Sequence, residues 1–99
     1  MSTVQLRRYA IQEGEMEAFV EWWRTLVPIR EKHGFKVLFA MADQQRNEFI
    51  WAISHDGDFA GSESDYLSSP ERAAAVAGAP NLVTEVFVSM PLVEMSSWV

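Results

Sequence analysis

Apolar and polar residues alternate from Thr3 to Ile11, with Val4, Leu6, Arg8 and Ala10 on one side and Gln5, Arg7, Tyr9 and Ile11 on the other. That period of two predicts a half-buried strand, closed by Glu13-Gly14. From Glu15 to His33 the period changes. Met16, Phe19, Val20, Trp23 and Val27 follow helical spacing and predict a core-facing stripe, while Glu17, Glu21, Arg24 and Pro28 fall on the opposite side. A proline on the solvent side bends a helix around a core without ending it. The stop is expected at Lys32-His33-Gly34-Phe35, where cations meet the C-terminal carbonyls, Gly34 can turn left-handed, and Phe35 can fold back on Ile29. A second apolar flank of Trp22, Leu26, Ile29 and His33 could meet a partner or line a pocket.

Val37 to Ala42 and Phe49 to Ser54 are two apolar runs around the polar turn Asp43–Asn47 and predict a hairpin. After the turn His55-Asp56-Gly57-Asp58, a short helix is expected from Phe59 to Leu67, with Ser62-Glu63-Ser64-Asp65 as a capping signal inside it. Ser69 suits an N-cap, Pro70 the first helical position and Glu71 the positive end of the dipole, so a helix restarts there and runs through Ala73–Ala77 until Gly78 and Pro80. Leu82 to Val93 is the last strand. The order β-α-β-β-α-β is the ferredoxin-like split βαβ arrangement, an α+β fold with a four-stranded antiparallel sheet and helices on one face, spanning residues 1–99 as a single domain.

Both sides of the hairpin strands are apolar. Val37, Phe39 and Met41 back onto Leu38, Ala40 and Ala42, and Phe49, Trp51 and Ile53 back onto Ile50 and Ala52. Helices cover only one face of such a sheet, and a large exposed apolar face is uncommon in a monomer, so a homodimer sealed sheet to sheet is expected.

Composition narrows the classes of function. The chain has 99 residues, a formal charge of -6 and no cysteine. Arg72 is the sole Lys or Arg between Trp51 and Val99, so nucleic acid is a poor partner. Without cysteine there is no disulfide framework or thiolate nucleophile, which makes a cytoplasmic setting the default. No apolar run approaches the roughly 18 residues of a membrane span, and no membrane partner is expected.

Val4-Gln5-Leu6-Arg7-Arg8-Tyr9, Glu31-Lys32-His33-Gly34-Phe35, Asn47-Glu48-Phe49-Ile50-Trp51 and Tyr66-Leu67-Ser68-Ser69-Pro70-Glu71-Arg72, in that order, resemble the NIPSNAP family. The resemblance covers essentially the whole chain and implies a dimeric α+β barrel, the architecture reached from the two-sided strands. It carries over architecture and no reaction. Similar barrels include cofactor-independent monooxygenases, isomerases and haem-handling proteins, an analogy of fold alone.

Two histidines are the residues able to move protons near neutrality. His33, in the last helical turn, reads as a cap or as a pocket group. His55 ends a strand on the large-residue side, with Asp56 and Asp58 near enough in sequence to orient it, and is the candidate catalytic residue. Its replacement by Ala should abolish any activity and leave stability nearly unchanged. Metal has weak support, because only His55, Asp56 and Asp58 cluster locally; no cofactor is expected, and Gly57–Ser62 fits no phosphate-binding loop.

Arg7 and Arg8 must point to opposite faces of the first strand, so one faces inward and needs an anionic partner, either an acid such as Glu85 or a substrate carboxylate. Tyr9, Tyr66, Trp22, Trp23, Trp51 and Trp98 supply aromatic surface for a core or for a planar ligand. The candidate ligand-binding residues are Arg7, Arg8, Tyr9, Trp23, His33 and Trp51. The leading expectation is a homodimer that binds a small apolar or aromatic ligand between sheet and helices. A small-molecule enzyme, with His55 moving the proton and Arg7 or Arg8 clamping an anion, is the alternative. A structural or protein-binding dimer, exposing the acidic second half, is the third reading.

Overall fold

The alternating first segment forms β1 (Thr3–Ile11), which occupies an interior position in the sheet. The helical stripe forms α1 (Met16–Lys32), the two apolar runs form β2 (Lys36–Asp43) and β3 (Glu48–His55), and α2 (Phe59–Leu67), α3 (Pro70–Ala77) and β4 (Val83–Leu92) complete the chain. These elements come from a computed structural model that describes residues 2–79 and 81–95. Pro80, expected to help stop α3, and Trp98 lie outside the described residues. The four strands are antiparallel in the order β2-β3-β1-β4, the ferredoxin-like arrangement expected from the chain.

One face of the sheet meets the helices. Tyr9 lies opposite Phe49, Arg7 opposite Trp51 and Gln5 opposite Ile53, so these six side chains share the inner face with Ile11. Phe19 and Trp23 of α1 pack on them, with ring centroids 5.1 and 5.0 Å from Phe49. The buried positions of α1 are Phe19, Trp23, Leu26 and Arg30. The expected stripe faces the core, with Phe19 and Trp23 buried and Met16, Val20 and Val27 half-buried against it, and in the second half of the helix the buried line also takes in Leu26 and Arg30. Pro28 is exposed, and α1 runs through it to Lys32.

The end of α1 is closed by backbone geometry. His33 is the C-cap, Gly34 has φ +86°, the Gly34 N–H donates to the Glu31 carbonyl at 3.0 Å, and the Phe35 N–H donates to the Arg30 carbonyl at 3.2 Å. This is the paired bond pattern of a Schellman ending, which needs a left-handed residue after the cap. Phe35 packs on Phe59, with centroids 5.1 Å apart, and lies beneath the Arg30 guanidinium.

A register shift between Val37 and Phe39 alters the expected faces of β2. Val37 pairs with Ile53 and Ala40 with Trp51 on the inner side, but Phe39 pairs with Ala52 and Met41 with Ile50 on the outer side. The extra residue therefore breaks the simple alternation that put Val37, Phe39 and Met41 together. The outer face remains apolar: Phe39, Met41 and Phe87 are 39%, 59% and 43% exposed.

The last two helices are capped by side chains. Asp58, not the Ser62–Asp65 segment, caps α2, accepting from the Gly61 N–H at 3.0 Å. Ser69 caps α3 as expected, accepting from the Arg72 N–H at 3.2 Å, and its hydroxyl donates to the Tyr66 carbonyl at 2.8 Å. Among the described residues no helix is long and apolar enough to cross a membrane.

Candidate functional site

The inner face carries more polar chemistry than the hydropathy pattern suggests. Arg30 is 3% exposed, yet its Nη1 donates to the Glu63 carboxylate of α2 at 2.7 Å. Its guanidinium lies 4.0 Å from the Tyr66 ring centroid, 5.0 Å from Phe35 and 5.9 Å from Trp51. A charge is tolerated there because it is paired and stacked on aromatic faces. Arg30 and Glu63 had no place among the residues expected at the site. Arg30 follows Trp23 and Leu26 at helical spacing, which is the signal that marks it, but a hydropathy reading discards a charged residue from an apolar stripe.

The face of each first-strand arginine is now fixed. Arg7 points to the helix side, where Nε donates to the Tyr9 hydroxyl at 2.6 Å and Nη1 to Gln5 Oε1 at 2.8 Å. Arg8 points to the outer face, with its guanidinium 4.7 Å from the Phe87 ring centroid and Nε 3.9 Å from the Glu48 carboxylate. The acid expected beside the inward arginine is not found among the described residues: Arg7 meets the neutral Gln5 and Tyr9, Glu85 is exposed and faces Ala10 in the register, and Glu48 stands beside the outward Arg8.

Trp23 and Trp51 meet edge to face with centroids 5.3 Å apart. Arg7, Tyr9, Trp23 and Trp51 are therefore gathered on the inner face, and Arg8 is separated from them by the sheet. Among the described residues, three buried side-chain donors have no hydrogen-bond partner: Trp23 Nε1, Arg30 Nε and Trp51 Nε1.

The histidines occupy the other end of β3. The Gly57 N–H donates to His55 Nδ1 at 2.9 Å, which leaves the ring proton on Nε2, and Nε2 donates to the His33 carbonyl at 3.1 Å. Both nitrogens of His55 are engaged by backbone. The aspartates expected to orient it are engaged elsewhere, Asp58 in capping α2 and Asp56 in accepting from the Ser2 hydroxyl. His33 is the α1 cap, and its ring lies edge-on to Tyr66 at 6.0 Å. Among the described residues no three His, Asp or Glu side chains are grouped to hold a metal.

A groove of about 580 Å³ opens between α2 and the β1–β4 edge, lined by Phe59, Ala60, Leu67 and Met90 with Gln5, Glu63, Ser64 and Ser68. Gln5 is the residue that accepts from Arg7, and Glu63 the one that holds Arg30, so both arginines stand one hydrogen bond behind the lining. Met90 and Gln5 were not among the expected site residues. A second hollow, of about 690 Å³, runs past Met16, Val20 and Arg24 beside Glu17 and Glu21, without an aromatic wall.

No family model matches the chain, and no curated protein matches it by sequence. Solved structures do match in shape. An uncharacterized NIPSNAP-like domain protein from Burkholderia xenovorans superposes with a TM-score of 0.82 at 15% identity, over 96% of this chain and 87% of that one. A NIPSNAP family protein of unknown function from Agrobacterium tumefaciens gives 0.78 at 13% identity, over 89% and 84%. This chain has the NIPSNAP fold. A putative antibiotic biosynthesis monooxygenase from Bacteroides thetaiotaomicron shares it less closely, with a TM-score of 0.71 at 18% identity over 93% of this chain and 90% of that one. At these identities the NIPSNAP likeness is one of architecture, and the chemistry rests on this chain's own side chains.

Proposed function

We propose that the protein is a cytoplasmic, NIPSNAP-like homodimer that binds a small, largely apolar or aromatic molecule between sheet and helices. The observation that carries the binding is the groove between α2 and the β1–β4 edge, whose apolar walls are Phe59, Ala60, Leu67 and Met90 and whose polar groups are Gln5, Glu63, Ser64 and Ser68. Apolar walls with a small number of fixed polar groups are the usual make-up of small-molecule sites. Assembly through the outer faces is supported by Phe39, Met41, Phe87 and Leu92, all exposed in one chain.

Native mass spectrometry of the protein as purified, beside the same sample denatured, tests both parts. The expected species is twice the 11.3 kDa chain carrying additional mass that is lost on denaturation. A strictly monomeric species at micromolar concentration would remove the homodimer from the proposal.

Enzymatic turnover in the groove is the second reading, favoured by the likeness to the structure described as a putative monooxygenase. In that reading His55 must first release one of its two backbone bonds, so Arg7 and Tyr9, which bond to each other beside the groove, are the better-placed polar pair.

A further inference from the structure

Building on the groove as a ligand site, we propose that its ligand carries a carboxylate on an apolar or aromatic body, and that the Arg7 guanidinium takes the carboxylate. The first support is a missing counter-charge. Arg8 has Glu48 and Arg30 has Glu63, but among the described residues no carboxylate lies within 4.0 Å of Arg7. Arg7 is half-buried, and its side-chain partners, Gln5 and Tyr9, are neutral. A guanidinium drawn out of water against neutral acceptors keeps an uncompensated charge, and a planar carboxylate is the group that its fork geometry fits.

The second support is the local balance of donors and acceptors. Trp51, the register partner of Arg7, is 2% exposed and its indole N–H has no acceptor. The Trp23 N–H and Arg30 Nε, in contact with the same aromatic layer, are in the same condition. Such groups are rarely left unpaired inside a protein. Arg7 therefore borders a layer rich in donors, where a carboxylate, which brings acceptors and no donors, is the complementary group.

The third support is the apolar surface flanking Arg7. Val88 faces Arg7 across the β1–β4 register, and Val86, Val88 and Met90 are exposed on the helix side of β4. Met90 lines the groove opposite Phe59 and Leu67. One guanidinium beside an aliphatic strip suits an amphipathic monoanion better than a polyanion. The chain's net charge of -6 repels anions at long range, so this selection works at contact distance and not by steering.

Isothermal titration with 2-naphthoate and with the neutral 2-naphthalenemethanol, against wild type, Arg7→Met and Arg7→Lys, tests the proposal. The acid should bind wild type about tenfold or more tightly than the alcohol, the worth of one charge-assisted contact. In Arg7→Met the preference should fall to about twofold with alcohol binding unchanged, and Arg7→Lys should retain part of it. Equal binding of acid and alcohol to wild type overturns the carboxylate and leaves the groove standing. Binding of neither overturns both. A preference that survives Arg7→Met, or survives intact in Arg7→Lys if the methionine variant does not fold, removes Arg7 from the role.

Discussion

Arg30 Nη1 and Glu63 Oε2 meet at 2.7 Å between α1 and α2, with the arginine almost wholly buried under Tyr66. Because Arg30 is enclosed, its charge depends on Glu63, which reaches it from the groove wall. Glu63→Leu alone should cost about 3–5 kcal/mol, since it leaves the Arg30 charge buried without a partner, and Arg30→Met alone should cost less, since the Glu63 carboxylate it leaves borders the groove. The double variant Arg30→Met/Glu63→Leu should recover most of the loss, measured as the urea midpoint of each protein. Simple additivity of the two single losses would show that the ion pair is not the unit that matters.

His55 joins β3 to the end of α1 through its bond to the His33 carbonyl. Deleting the ring leaves that carbonyl and the Gly57 N–H to find water, so His55→Ala should destabilise by about 1–2 kcal/mol rather than leave stability unchanged. Gly34→Ala should act at the same place for a different reason. At φ +86° an L side chain is strained, and a Cβ there would stand 2.8 Å from His55 Nε2. Both variants should lower the thermal midpoint, and a pair of unaltered melts would contradict this account of the α1 ending.

Those two residues also show what can be read in a sequence. Gly34 was legible as a helix stop because left-handed geometry selects one residue type. His55 was legible as facing inward from period-two counting along β3, and its register partner Thr3 agrees. Its partners were not legible: the His33 carbonyl is 22 residues away and belongs to backbone, which leaves no mark on side-chain patterns. Arg7 and Arg8 were legible as pointing to opposite faces, but choosing between them required the tertiary pairing with Trp51. Arg30 was hidden for the opposite reason, because its helical spacing was right and its charge concealed it. The extra residue near Leu38 shifted Phe39 and Met41 to the outer face, and no turn or glycine signal announces it.

Phe39 and Met41 now offer the most direct test of assembly. Both stand on the outer face among other exposed apolar groups, and neither belongs to the buried core of one chain. Met41→Glu should leave the secondary structure measured by circular dichroism intact and shift the protein from dimer to monomer in light scattering. Charge placed within an apolar interface is expected to weaken it about a hundredfold or more. A Met41→Glu protein that remains dimeric would move the interface away from this face.

The groove can be closed without touching its polar groups. Ala60 is exposed on α2 and lines the groove beside Phe59 and Glu63, while the α2 cap is made at Asp58 and the ion pair at Glu63. Ala60→Trp adds a large ring from the wall without entering the core, so its effect on stability should be within about 0.5 kcal/mol. Any mass retained in native spectra of the wild type should be lost or much reduced in the variant, and affinity for 2-naphthoate and 2-naphthalenemethanol should fall together. A loss of both separates occupancy of the groove from recognition of charge, because Arg7 is unaltered in this protein. Unchanged binding of both probes would place them outside the groove, and the hollow beside Met16 and Arg24 would then be the surface to alter next.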